Sequence, residues 1–272
     1  MQHPPRMTVT ILIPARYQSS RFPGKPLAPL KGATGVTKSL IQRSWEAAKA
    51  TSGIDHIAVA TDDARIAYAV RAFGGEVIMT SEHCANGTER CADAVQKMAT
   101  PPDIVVNLQG DAPLTPPWFI EALVNRMKES PETVVSTPVL RCDEDALDGF
   151  LSDRKAGRVG ATTAVFDRQG RALYFSKEVI PYTDGKLIHD GVCPVFHHVG
   201  VYAYRPDALD AYVSMEAGPL EKLEGLEQLR FMEHGLPVTC VEVEARGAVF
   251  WELNNPSDTP RVEAALARQG TI

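Results

Sequence analysis

Residues 14–26 read Pro-Ala-Arg-Tyr-Gln-Ser-Ser-Arg-Phe-Pro-Gly-Lys-Pro, gathering Arg16, Arg21 and Lys25 with the hydroxyls of Ser19 and Ser20 in one Gly/Pro-rich loop. Cations and backbone N–H groups converging in a loop suit a triphosphate, because they neutralise charge that develops on phosphate oxygens during phosphoryl or nucleotidyl transfer. A solvated basic loop is the plainer alternative. A second constellation, Gln109-Gly110-Asp111, closes a β-branched run. A carboxylate opposite a basic loop is where Mg²⁺ would bridge protein and phosphates; the alternative is an aspartate that merely follows glycine in a turn. A third stretch, Asn86-Gly-Thr-Glu-Arg90, offers a helix N-terminus and polar side chains, or simply a capped helix. Neither common nucleotide fingerprint is present: there is no G-x-G-x-x-G, and Gly35-Val-Thr-Lys-Ser39 lacks the glycine beside lysine that a P-loop needs.

These groups require a scaffold that delivers them to one place. Val9–Ile13 is a short β-branched run stopped by Pro14, and Leu40, Ile41, Ser44, Trp45 and Ala48 then share one helical face. Ile57–Ala60 is the next strand, and Thr61 is the expected cap of a helix carrying Ile66, Val70 and Phe73 and stopped by Gly74-Gly75. Val77–Met79, a helix opened by Thr88, the strand 103–108 and a helix after Thr115-Pro116 continue the alternation. Such a rhythm implies a parallel sheet covered on both faces, with ligands beyond the carboxyl ends of its strands, where all the motif loops fall. From about residue 133 the pattern turns to mixed β and α: strands at 133–138, 162–166, 171–175, 197–204 and 237–244, and helices at 207–215, 221–234 and 257–269. The expected organisation is one domain over 1–272, with a nucleotide-binding half (about 8–130) and a β-rich half (about 131–272).

Composition narrows the partners. The 272 residues are 44% hydrophobic and carry Asp+Glu 34 against Lys+Arg 28, a net charge of −6 that argues against nucleic acid and makes an anionic substrate depend on a local basic site. Five cysteines without a C-x-x-C pair suggest reduced thiols rather than a disulfide or zinc framework. With no signal-peptide pattern and no run of 18 apolar residues, no membrane association is expected and the expected location is the cytoplasm.

Seven stretches in order carry a resemblance: 13–27, Val59-Ala-Thr-Asp-Asp63, 86–90, Asn107-Leu-Gln-Gly-Asp111, Ala172-Leu-Tyr-Phe-Ser176, His198-Val-Gly-Val-Tyr202 and Leu220-Glu-Lys-Leu-Glu-Gly-Leu-Glu-Gln-Leu-Arg230. Together they resemble the 3-deoxy-manno-octulosonate (Kdo) cytidylyltransferases, or CMP-Kdo synthetases, of lipopolysaccharide biosynthesis. The resemblance implies a three-layer nucleotide-diphospho-sugar transferase-like α/β fold with a mostly parallel central sheet and a β-rich sugar-binding and dimerisation lobe. It further implies a homodimer, with part of the contact expected within residues 180–200, and the reaction CTP + Kdo → CMP-Kdo + pyrophosphate with Mg²⁺. By the same resemblance, Arg16 and Lys25 clamp the phosphates beside Arg21, and Asp111 holds the metal. Ala15, Thr88, Glu89 and Arg90 belong to the nucleotide pocket, and Gln109 lies between base and sugar. His198, Tyr202, Glu227 and Gln228 belong to the sugar acid. Without the resemblance, His198 reads as a core strand histidine, and Glu221, Glu224 and Glu227 as a solvated acidic helix face.

The sequence also departs from the family. Asn254 stands where a second metal-binding Asp is usual. Three outcomes are open: Mg²⁺ held by Asp111 and phosphates alone, Glu252 or Asp258 substituting, or a nucleotide-sugar-binding homologue with impaired catalysis. Ala112 replaces the usual Glu after Gln-Gly-Asp, Thr163 a usual Lys and Lys177 a usual Arg, and the turn 31–38 is longer. Only Arg offers a carboxylate the bidentate fork, so these changes suggest a modified or amino-substituted sugar acid as the alternative substrate.

Overall fold

The computed structural model describes residues 6–19, 22–158, 161–183, 192–249 and 251–271. In chain order the elements are β1 (Val9–Ala15), β2 (Pro29–Lys31), β3 (Thr37–Ser39), α1 (Leu40–Lys49), β4 (His56–Thr61), α2 (Ala64–Ala72), β5 (Glu76–Met79), α3 (Gly87–Gln96), β6 (Ile104–Leu108) and α4 (Pro117–Glu129). There follow β7 (Val135–Arg141), α5 (Glu144–Lys155), β8 (Thr163–Phe166), β9 (Ala172–Ser176), β10 (Phe196–His198), β11 (Val201–Tyr204), α6 (Pro206–Ser214), α7 (Pro219–Glu224), α8 (Gln228–Glu233), β12 (Thr239–Val243) and α9 (Thr259–Arg268).

One large sheet runs β5-β4-β1-β6-β11-β7-β10-β8-β9, with β12 paired to β7; β2 and β3 form a separate hairpin. The first four strands of that order are parallel. β11 enters antiparallel between β6 and β7, setting Tyr202 opposite Asn107 and Ala203 opposite both Val106 and Ser136. Side chains alternate across a strand, so β1 sends Ile11 and Ile13 into one core and Leu12 into the other. The first core packs under α1, α2 and α4 with Ile41, Ile66 and Phe119; the second packs under α3, α6 and α8 with Cys91, Tyr212 and Phe231. Each fully buried Ile, Leu or Phe contributes about 1.5–3 kcal/mol, and β1 donates to both sides at once. A third cluster joins α9 (Val262, Leu266) to Leu30, Leu114 and Leu253. No described helix is long and apolar enough to cross a membrane, and the five cysteines are free thiols.

The structure corrects several sequence expectations. Thr61 does not cap α2: it is the buried last residue of β4, its hydroxyl accepts the Asp63 N–H, and the Asp63 carboxylate accepts from the amides of Arg65 and Ile66. The single strand expected at 197–204 divides at Val199-Gly200, because β10 pairs with β8 while β11 pairs with β6. The single helix expected at 221–234 divides at Gly225, whose left-handed backbone (φ 62°) ends α7. The hairpin β2–β3 and helix α5 were not anticipated; in the hairpin, the buried Arg43 of α1 donates to the carbonyls of Leu30 and Val36.

Candidate active site

A cleft of about 520 Å³ opens beyond the carboxyl ends of β1 and β6. Its floor is set by a backbone approach that only glycine permits: a Cβ on Gly110 would stand 2.8 Å from the carbonyl oxygen of Pro14. The Ser44 hydroxyl on α1 donates to the Gly110 carbonyl at 2.9 Å, fixing the residue before Asp111. The loop after β1 turns back through a Gly24 N–H to Tyr17 carbonyl bond of 2.9 Å and presents Lys25. Lys25 Nζ donates to Asp111 Oδ2 at 2.5 Å, with the two side chains 15% and 24% exposed. That pair keeps a cation and a carboxylate in the same partly dry space, where charge interactions exceed those in water.

Arg16 also lines the cleft, is exposed, and has no ion-pair partner among the described residues. Arg21 lies outside the described residues. Ala15, Gln109 and Arg90 line the cleft as well. Arg90 is fixed from behind, donating to Thr80 Oγ1 at 2.6 Å and pairing with Asp62 at 3.2 Å, and Gln109 donates to Asn107 Oδ1 at 3.3 Å. Asn86 caps α3 by accepting the Glu89 N–H at 2.8 Å, and Glu89 returns a carboxylate oxygen to the Ala85 N–H at 2.8 Å. Thr88 and Glu89 themselves are outside the cleft lining. Thr88 Oγ1 donates to Glu227 at 2.8 Å, and Glu89 accepts from Arg230 at 3.1 Å.

The opposite end is more enclosed. Glu227 reaches the start of α3, accepting from the amides of Gly87 and Thr88 at 3.4 and 3.0 Å. Burial pushes its carboxyl up, and the Thr88 hydroxyl and the two amides draw it back. The Tyr202 hydroxyl donates to Gln228 Oε1 at 3.0 Å, while Gln228 Nε2 is buried with no partner among the described residues. His198 is 6% exposed and exchanges a 2.9 Å hydrogen bond with Thr137 Oγ1. It packs between the rings of Phe175 and Tyr202. Desolvation, with the neighbouring His197, pulls its imidazole down to about 3, so it is neutral at physiological pH. His198 and Tyr202 thus form the buried support behind Gln228.

The three glutamates are not a solvated face. Glu221 receives both Nε and Nη2 of Arg230, and Glu224 accepts from Ser176 Oγ and the Lys177 N–H at 2.7 and 2.9 Å. Lys177 Nζ lies 3.0 Å from where a Cβ of Gly225 would stand, at the rim of the cleft. Thr163 is occupied internally, donating to the Glu178 carbonyl and accepting from the Ile180 N–H. Sequence reasoning missed Arg230 and Lys222, both in the lining. The available signal was Gly225, a helix stop inside an otherwise helical pattern.

The segment carrying Asn254 runs beside Asp111, through a 2.9 Å bond from the Leu253 N–H to the Asp111 carbonyl. Asn254 Nδ2 donates to Glu252 Oε2 at 3.3 Å, which turns the amide oxygen away from that carboxylate. Asp258 instead caps the turn by accepting from the amides of Asn254 and Asn255. No cluster of three or more His, Cys, Asp or Glu suited to a metal occurs among the described residues. Asp111 offers a carboxylate to the cleft, which fits Mg²⁺, an ion that commonly takes one or two carboxylates and completes its shell with substrate phosphates and water.

Comparison with known proteins agrees with this geometry. The family described as Cytidylyltransferase matches residues 10–242. The 3-deoxy-manno-octulosonate cytidylyltransferase of Maricaulis maris is 42% identical over 98% of this chain and 100% of its own. The 8-amino-3,8-dideoxy-manno-octulosonate cytidylyltransferase of Shewanella piezotolerans is 43% identical over 96% of this chain and 99% of its own. A solved CMP:2-keto-3-deoxy-manno-octonic acid synthetase complexed with CTP superposes with a TM-score of 0.82 at 35% identity, covering 96% of this chain and 99% of that one.

Proposed function

The chain belongs to the cytidylyltransferase family, and from that premise we propose that it activates Kdo, or its 8-amino analogue, with CTP for lipopolysaccharide biosynthesis. The observation that carries this reading is the Lys25–Asp111 pair in a cleft beyond β1 and β6, with the exposed Arg16 in the same lining. The anomeric hydroxyl of the sugar acid attacks the α-phosphorus of CTP. An O–P bond forms, the bond from the α-phosphorus to the bridging oxygen breaks, pyrophosphate departs and the hydroxyl proton passes to solvent. Arg16 and Lys25 hold the phosphates and spread the charge gathering on them; positioning and neutralisation are the main protein tasks in such transfers. Arg21 joins them in the proposed set. Asp111, joined in the proposed set by Asn254 on the neighbouring segment, would hold Mg²⁺, which when bound supplies further charge neutralisation at the phosphates.

The base-side wall is Ala15, Asn86, Gly87 and Arg90, with Thr88 and Glu89 holding it from behind. Gln109 stands between the two substrates. On the sugar-acid side Glu227 lines the cleft, and Gln228, His198 and Tyr202 belong to the proposed set from buried positions outside that lining. Gln228 Nε2, buried with no partner among the described residues, supports a polar role on this side, since a buried amide N–H without an acceptor is costly. The reading includes a homodimer and a cytoplasmic location. Exposed Leu173 on edge strand β9, with Tyr182 and Val192 nearby in sequence, supports self-association there, and light scattering after size exclusion tests it.

The decisive experiment measures pyrophosphate release with Mg²⁺, each nucleoside triphosphate in turn, Kdo, and 8-amino-Kdo. Release with CTP and either sugar acid is expected. CTP binding without release from any pair would refute catalysis; release with UTP or dTTP but not CTP would refute the cytidyl assignment.

A further inference from the structure

Arg230 faces the cleft, yet three of its five N–H donors, one from each nitrogen, are engaged on the protein side. Nε and Nη2 fork onto the two oxygens of Glu221 at 2.7 and 2.8 Å, and Nη1 donates to Glu89 Oε1 at 3.1 Å. From there a ring closes. The Tyr212 hydroxyl donates to Glu221 Oε1 at 3.4 Å and accepts from Asn86 Nδ2 at 3.0 Å, while Asn86 Oδ1 accepts the Glu89 N–H at 2.8 Å. The guanidinium also lies 4.1 Å from the centre of the Tyr212 ring. Five side chains from the start of α3 and from α6, α7 and α8 are thereby joined, with Arg230 and Glu221 both buried.

The ring reaches both ends of the cleft. Glu89 continues through the Ala85 N–H into the 84–87 wall, and Arg230 follows Glu227 and Gln228 in the first turn of α8. Two carboxylates around one guanidinium leave it no surplus charge for a phosphate, which separates it from the exposed Arg16, for which no ion pair occurs among the described residues. Largely buried networks of this kind favour one arrangement of the elements they join.

We propose that Arg230 is a positioning residue that sets the nucleotide wall and the α7–α8 turn in a single arrangement, so that both substrate sites depend on a side chain that touches neither substrate. This rests on the functional reading above.

The test compares wild type with Arg230→Met, Arg230→Lys and Glu221→Gln in steady-state kinetics, with each substrate varied in turn, well below each variant's unfolding temperature. Arg230→Met is expected to raise KM for CTP and for the sugar acid together, each about tenfold, with a smaller change in kcat. Arg230→Lys should recover little of this, because lysine cannot make the fork, and Glu221→Gln should raise both KM values by less. A lowered Tm with both KM values unchanged would overturn the proposal, leaving Arg230 a purely structural residue. A rise in KM for CTP alone, with altered salt dependence, would overturn it in favour of direct phosphate contact. If Arg230→Met does not fold, unchanged KM values in the other two variants overturn it equally. A wild type without pyrophosphate release refutes the functional reading itself, and the inference with it.

Discussion

The two ends of the cleft solve the problem of holding an anion in opposite ways. At the β1–β6 end the groups are few, charged and partly open: an exposed Arg16 and a Lys25–Asp111 pair carried on a Gly/Pro loop. At the α7–α8 end they are buried or half-buried and already hydrogen-bonded to one another: Glu227 to Thr88, Tyr202 to Gln228, Arg230 to Glu221. Charge needed only as phosphate bonds rearrange can stay at the surface and find its ligand. Shape needed to recognise a sugar must be fixed beforehand, and buried networks supply that at a desolvation cost.

Substitutions at the open end should therefore act on turnover and those at the closed end on binding. The largest effect is expected from Asp111→Ala, a loss of about a thousandfold in Mg²⁺-dependent kcat; full activity in pyrophosphate release would refute its metal role. Lys25→Met should follow, lowering kcat about a hundredfold with little change in KM for the sugar acid. A pure KM effect would erase the contrast between the ends. Gln228→Leu should raise KM for the sugar acid about tenfold and leave KM for CTP alone. Asn254→Asp adds a negative charge beside Asp111, so the Mg²⁺ concentration for half-maximal rate should fall several-fold; an unchanged titration would place residue 254 away from the metal.

The smallest effect concerns stability. His198 in the folded protein binds a proton only near pH 3, whereas an unfolded chain binds one near 6.5. The unfolded state therefore gains protons first. The contribution of neutral His198 is complete above about pH 6.5 and declines, by up to about 1.4 kcal/mol per pH unit, as pH falls toward 3. Urea melts at pH 7.5 and 5.0 should show a shallower loss in His198→Gln than in wild type. The kcat/KM profile should carry no His198 inflection between pH 5 and 8.

The contrast also explains what could be read without coordinates. The open end was legible because its strands are β-branched runs ending at Pro14 and Gln109-Gly110-Asp111, and its chemistry sits in the adjoining loops. The closed end was not, because its meaning depends on pairing. His197–Tyr204 reads as one strand until β10 and β11 choose different neighbours. Glu221 and Arg230, nine residues apart, would point to opposite sides of a continuous helix; only the break at Gly225 folds them together. Thr88 and Glu89 were expected in the nucleotide pocket from the resemblance, whereas both lie outside the cleft lining, bonded to Glu227 and Arg230.

The insertion of β11 between β6 and β7 bears on how such a protein can be taken apart. The strand that bears Tyr202 completes the hydrogen-bonding edge of the strand that leads to Asp111. Cut near residue 130, the first fragment would keep an apolar, unpaired strand edge, and the second would keep the strand made to cover it. A chimera that exchanged one half for that of a distant relative would have to match this seam residue by residue. The two substrate sites can diversify in their loops and helices, but the chain must carry them as one inheritable unit.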